Sequence, residues 1–440
     1  MNTVIIDFNR ATGSMKPLHG VNNSPIFYNS SLPEFADAGI PFVRTHDTGG
    51  AFGGSRLVDI PNVFPDFNAD PSDQNSYDFA FTDAYLKTLA ASGVKPFYRL
   101  GVTIENNYFL KSYTIAPPAD FNKWAEICCG IVRHYNEGWA NGFHYGIDYW
   151  EIWNEPESPA MWSGTHQQFF ELYAVAARKL RKEFPNLKIG GYGGSGFFAV
   201  TRENTMPLRY EYLAMFKEFM AFLQEQKEAV PFDFFSWHLY TKDINELLTH
   251  AKYVREQLDA AGFTKTESIF DEWNYIEHDT CGIEGSAWDD MRNMPGALFV
   301  GAVLCELQKN GLVDKAMLYD AMPSRKYCAL YYYPEHKVSR TYYAMKIFNT
   351  LYQLGTCVFT ECDNDGIYVC AAKGNGKKAV MIVNRNQFKQ DVALNVNGGD
   401  FADAELLLLD ADRVLTPVNW LLDREKNTAS MPPFSIALIR

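Results

Sequence analysis

The chain lacks a surplus of positive charge, a long apolar run, a paired cysteine motif and any low-complexity linker, and each absence removes a class of protein. Lys and Arg number 40 against 53 Asp and Glu, a formal net charge of -13. A nucleic-acid partner is therefore excluded, because a polyanion needs a basic face that releases its counterions. No apolar run approaches the roughly 18 residues of a membrane span. The opening Met-Asn-Thr-Val-Ile-Ile-Asp-Phe-Asn-Arg has no basic start, no long apolar stretch and no small-residue cleavage site. The expected location is cytoplasmic, unless an export signal has been removed. None of the 8 cysteines stands in a CxxC pair. Buried, reduced thiols are expected, and no zinc site or other metal centre.

What is present is an ordinary globular composition, 47% hydrophobic and 21% charged over 440 residues, enough for a barrel of roughly 250 to 400 residues and an appended module. Apolar runs rich in β-branched and aromatic residues fall at 16–23, 41–47, 95–101, 148–156, 188–193, 234–240, 267–274 and 315–321. Amphipathic stretches at 121–135, 165–183, 210–227, 244–261 and 297–310 lie between them, with Gly262 and Gly311 at the expected helix stops. Eight strand-like runs alternating with helices predict an α/β chain, a (β/α)8 barrel over 16–354. Beyond a closing helix at 339–354, short β runs separated by turns such as Gly374-Asn375-Gly376 predict a small antiparallel β-sandwich over 355–440. Residues 1–15 hold a strand, Val4-Ile5-Ile6, expected to join that sandwich.

Two of the strand-like runs end in carboxylates. Tyr149-Trp150-Glu151-Ile152-Trp153-Asn154-Glu155-Pro156 is the fourth, and Glu267-Ser268-Ile269-Phe270-Asp271-Glu272-Trp273-Asn274 the seventh. The C-terminal ends of barrel strands form the catalytic face, and strands four and seven stand on opposite sides of its mouth. Glu155 and Glu272 can thus face each other, as cleavage of a glycosidic bond requires. One carboxyl must protonate the leaving oxygen while the other, ionised, attacks the anomeric carbon. That chemistry needs no cofactor. Taken singly, either Glu reads equally well as a helix cap or a rim salt-bridge partner; the pairing is what favours catalysis.

With these motifs in order, the sequence resembles the glycoside hydrolases of clan A and, within them, family 39, which includes β-xylosidases and α-L-iduronidases. The resemblance extends to Val43-Arg44-Thr45-His46, Ser236-Trp237-His238-Leu239-Tyr240 and Ser339-Arg340-Thr341-Tyr342-Tyr343-Ala344-Met345-Lys346. It implies a retaining mechanism, with Glu155 as general acid/base and Glu272 as nucleophile. Arg44 is then expected beside the nucleophile, holding it ionised, and Tyr240 hydrogen-bonded to it. Asn154 would contact the sugar 2-hydroxyl, His46 and His238 would line the glycone pocket, and Trp273 and Asp320 would complete the substrate site. A glycoside or oligosaccharide substrate and a homo-oligomer are also implied.

Two strands depart from the xylosidase pattern. Arg99 stands where those members carry an acidic residue, and 317–321 reads Met-Leu-Tyr-Asp-Ala without their Trp and following acidic pair. Arg99 can grip a uronate carboxylate or form an ion pair with Glu105. The reading is an exo-acting, β-xylosidase-like enzyme. The alternatives are β-glucoside, arabinoside or iduronide specificity on the same machinery, or an inactive carbohydrate-binding barrel.

Overall fold

The structure, a computed structural model, describes residues 2–27, 30–48, 58–103, 113–276 and 285–440. Its first strand, β1 (Asn2–Ser14), leads into β2 (Gly20–Asn22), β3 (Phe42–Arg44), β4 (Lys95–Leu100), β5 (Tyr149–Ile152), β6 (Lys188–Gly194), β7 (Phe234–Thr241), β8 (Glu267–Tyr275) and β9 (Lys315–Leu318). Strands β2 to β9 close a barrel in chain order, every neighbouring pair parallel. The helices that return the chain are α1 (Pro33–Asp37), α2 (Ala80–Ala91), α3 (Phe121–Glu137), α4 (His166–Glu183), α5 (Pro207–Glu225), α6 (Ile244–Ala260), α7 (Met294–Asn310) and α8 (Arg340–Tyr352).

Local sequence fixes several helix ends. The Asp120 and Asp243 side chains accept from first-turn N–H groups of α3 and α6, and Thr165 with Gln168 forms a reciprocal capping box on α4. Inside the barrel, side chains two residues apart on each strand share the interior. Phe97, Tyr149, Phe234, Ile269 and Met317 form a separate apolar cluster at the N-terminal end, so the charged residues one step further along stand on an apolar floor.

The remaining strands are β10 (Thr356–Cys362), β11 (Ile367–Gly374), β12 (Lys377–Asn384), β13 (Gln390–Asn397), β14 (Leu406–Leu409), β15 (Thr416–Pro417), β16 (Leu422–Asp423), β17 (Thr428–Met431) and β18 (Ser435–Ile439). They form one ten-stranded sheet rather than two separate ones, because β1 lies in its middle, antiparallel to β10 and parallel to β13. The sheet curls around a single apolar core that includes Val4, Ile6, Val369, Ile382, Leu394, Leu408 and Ala437. Alternate residues such as Met381, Val383 and Ile436 turn the other way and crowd Gly301 of α7, so these strands are apolar on both faces.

Candidate active site

The site rises from the apolar floor in two layers. Arg44, fully buried at the end of β3, is the hub of the lower one. Its Nε donates to Glu151 at 2.7 Å and Nη1 to Asn22 at 3.1 Å and Glu272 at 3.1 Å, while Nη2 donates to Asn154 at 2.6 Å. Burial works against the guanidinium charge, but the surrounding carboxyls, Glu151 and Glu272 among them, hold its proton more tightly than usual. Ser236 donates to the other Glu151 oxygen at 2.6 Å. Gly193, in the left-handed region at φ 64°, keeps the neighbourhood open; a Cβ there would stand 3.0 Å from Arg44 Nη2 and 3.1 Å from His238 Nε2.

In the upper layer Glu272 receives Tyr240 Oη at 2.6 Å on one oxygen and Arg44 on the other. Two donors on a nearly buried carboxylate fix its plane. Glu155 is more open, its side chain 21% exposed, and its Oε1 lies 2.8 Å from His238 Nδ1. The same ring nitrogen is 3.7 Å from Glu272 Oε2. One oxygen of each Glu and this nitrogen all lie within 4.8 Å of one another, a cluster close enough for an ion. Because both Glu272 oxygens already accept from fixed donors, the arrangement suits a carboxylate reserved for an electrophilic carbon. Trp153 and Glu155 adopt left-handed backbone, at φ 75° and 48°, and Glu155 N–H is held by Gly193 O at 3.0 Å. Such strain persists only where the surroundings enforce it.

A β-bulge explains the other side of the mouth. Pairing between β7 and β8 runs Phe270 with Trp237 and then Glu272 with His238, leaving Asp271 as the extra residue. Regular alternation would turn either Asp271 or Glu272 outward; the bulge brings both toward Arg44.

The structure brings Glu155, Glu272, Asn154, Arg44, His238 and Tyr240 together. Trp273 is not with them. It is fully buried on the outer face of β8, stacked on Phe270 at 5.6 Å and packed against Phe299 of α7, because it follows the inward Glu272 in the strand. Arg99 is fully buried and tied to Asp59 at 2.6 Å, with Thr103 3.3 Å away. Its partner is thus an acid from the segment before α2, while Glu105 lies outside the described residues. His46 is buried 3.5 Å from Asp47 and is kept neutral by desolvation and then by Arg44. Asp320 is buried, accepts from Met322 N–H at 2.9 Å, and is pushed up to about 7, chiefly by burial.

Sequence reading missed Asn22, Glu151, Ser236 and Asp271 in the lower layer, and Glu157. For Glu151 the signal was available, a charge at inward parity within an apolar strand. Glu157 is buried behind Glu155 and pushed up to about 7 by desolvation and then by Glu155. Only Glu157 Oε1 has a donor, the Ser195 N–H.

Comparison with known proteins gives this geometry a family. The model of the glycosyl hydrolases family 39 matches residues 7–274. A β-xylosidase of Geobacillus stearothermophilus is 27% identical over 215 residues, covering 46% of this chain and 38% of that relative. Another, of Caldicellulosiruptor saccharolyticus, is 27% identical over 181 residues, 38% of this chain and 32% of the relative. The matched part is thus well under half of each relative's length. Among solved structures, a glucosidase from Croceicoccus marinus superposes with a TM-score of 0.74 at 20% identity, over 100% of this chain and 98% of that one. The chain belongs to the glycosyl hydrolases family 39.

Proposed function

We propose that the protein is a retaining exo-glycosidase acting by double displacement, with a β-xyloside as its substrate, Glu272 as nucleophile and Glu155 as acid/base. The observation that carries this is the closeness of the two carboxyls, one oxygen of each lying within 4.8 Å of the other and of a His238 ring nitrogen. Inverting enzymes separate theirs by about 6.5 to 9.5 Å to admit a water, and retaining ones by about 5 to 5.5 Å. In the first step a Glu272 oxygen bonds to the anomeric carbon as the leaving oxygen takes the Glu155 proton. In the second, Glu155 removes a proton from water, which displaces Glu272 and returns the sugar with its original configuration. Asn154, held by Arg44, is aimed for the 2-hydroxyl, and His46 and Asp320 for the glycone. Arg99, already paired with Asp59, supports the wall rather than a uronate carboxylate, which disfavours the iduronide alternative.

The curated relatives named β-xylosidase support the xyloside, and the glucosidase neighbour makes β-glucoside the rival. The test is a panel of aryl β-xyloside, β-glucoside, β-galactoside, α-arabinoside and α-iduronide, followed by trapping with the 2-fluoro analogue of the best substrate. Preference for the xyloside with label on Glu272 is expected. Label on another residue, or no turnover of any glycoside with sugar binding retained, overturns the reading. Among the described residues the cysteines are free, and buried except for half-buried Cys362, which supports a reducing, cytoplasmic setting. A homo-oligomer is expected from the family resemblance and is read by sedimentation. Among the described residues no helix is long and apolar enough to cross a membrane.

A further inference from the structure

Asp271 is the acid that the double displacement does not use. It is fully buried, and neither of its oxygens receives a hydrogen bond. Arg44 Nε stands 2.9 Å from Oδ2, but donates to Glu151 instead. An ionised Asp271 would therefore be a buried anion with no hydrogen bond of its own, offset by the Arg44 charge but set between two other carboxylates, at a cost that such sites avoid by taking up a proton. Glu151 Oε2 and Asp271 Oδ2 share the Arg44 Nε as a neighbour, so a proton on Asp271 has an acceptor in Glu151. On its other side Asp271 Oδ1 faces His238 Nε2 at 3.5 Å, and that nitrogen also has no hydrogen-bond partner.

From this juxtaposition we infer that Asp271 is a positioning residue kept as a neutral carboxylic acid, donating to Glu151 and accepting from His238 Nε2–H, so that His238 Nδ1 is directed to Glu155. The inference rests on the proposed acid/base role of Glu155. Asp271 then acts through His238: with Nε2–H anchored, the proton between Nδ1 and Glu155 belongs to a pair that supplies the leaving group. Burial and Glu151 raise the Asp271 carboxyl well above the ordinary range, while Glu151, although desolvation opposes it, is held low by Arg44 and by the bond from Asp271. His238 is raised too; desolvation works against its charge, but Glu272 and Glu155 outweigh it.

Among the described residues, the charged and titratable groups facing this chain of bonds belong to the same mouth. Arg44 comes from β3 and His46 from just beyond it. Glu151, Glu155 and Glu157 come from β5 and its following turn, Tyr240 from β7, and Glu272 from β8. Arg44 opposes a positive His238 and His46 stays neutral beside it, whereas Glu272 and Glu155 favour the charge. Removing the Nε2–H acceptor lets the imidazole turn and lowers its hold on the shared proton.

The experiment compares Asp271→Asn and Asp271→Ala with wild type. Asparagine mimics the protonated acid, with a donor toward Glu151 and an acceptor toward His238. Its pH profile of kcat/KM should overlay the wild type. Asp271→Ala should move the basic limb to lower pH by about half a unit or more and slow poor leaving groups about tenfold more than activated aryl glycosides. In the infrared, the wild type should show the carbonyl band of a buried protonated carboxyl that Asp271→Asn lacks, a readout that needs no substrate and no alanine variant. Equal losses in the Asn and Ala variants would mean that Asp271 works as an anion, and overturn the inference. Uniform loss in Asp271→Ala with an unmoved basic limb, or no band lost in Asp271→Asn, would overturn it as well. Failure of the glycosidase reading is distinct, since then wild type turns over none of the glycosides while the infrared result stands.

Discussion

Replacing Glu155 by alanine removes the carboxyl that stands 2.8 Å from His238 Nδ1 and leaves the Glu272 bonds to Tyr240 and Arg44 untouched. The first chemical step keeps its nucleophile and loses its acid. A positioned acid contributes about 10² to 10⁴ in rate, or about 3 to 5 kcal/mol. That loss should appear in full for alkyl or sugar leaving groups, and hardly at all for a dinitrophenyl glycoside, whose oxygen departs without a proton. His238 Nδ1, freed from Glu155, retains Glu272 Oε2 at 3.7 Å as its nearest carboxylate. It cannot replace Glu155 as the base for water, so the glycosyl-enzyme should accumulate and an aryl substrate should give a burst. Azide, occupying the space of the lost carboxyl, should restore turnover and yield a glycosyl azide of retained configuration. The assay is a leaving-group series with stopped-flow burst analysis and product NMR. If Glu155→Ala hydrolyses poor-leaving-group substrates at the wild-type rate, Glu155 is not the acid and the assignment of the two carboxyls falls.

Three further outcomes follow from the same contacts. Glu272→Gln should abolish turnover without azide rescue, since the amide neither attacks nor vacates space; Glu272→Ala with azide should give the inverted glycosyl azide, and retained product from it would remove Glu272 as nucleophile. Arg44→Met should lose about 3 to 5 kcal/mol of stability in denaturant unfolding, because it strands buried carboxylates; a loss under about 1 kcal/mol would mean that they are neutral without it. Glu157→Gln tests a pH effect on stability: burial raises the folded carboxyl from 4.5 to about 7. That contribution, about 3 kcal/mol, is full below the unfolded value and is lost as pH rises through the folded one. Wild type should therefore weaken between pH 5 and 8 more than Glu157→Gln does in the same unfolding assay, and parallel curves would refute the assignment.

The barrel was legible because its units are short and locally specified. Each of the eight strands is an apolar run that a helix pattern follows, and the strand ends carry the two glutamates without reference to any distant residue. The β1 strand was legible for the opposite reason, as an apolar run with no local partner. Trp273 was misread, since its place beside Glu272 in sequence puts it across the sheet in space. Arg99 found Asp59 from a segment that carries no strand signal.

What the sequence alone determined was the alternation of elements, the residue types at the strand ends and hence the chemistry available at the mouth. What tertiary structure decided was which charges meet. The single ten-stranded sheet depends on β1 pairing with strands more than 340 residues later. The inward turn of both Asp271 and Glu272 depends on a bulge, defined by hydrogen bonds to β7 and by no local residue preference. Arg44 acquires its role only when β2, β5 and β8 deliver Asn22, Glu151, Asp271 and Glu272 to one guanidinium. Electrostatic work of that kind is set by distance and burial, and neither quantity exists until the barrel closes.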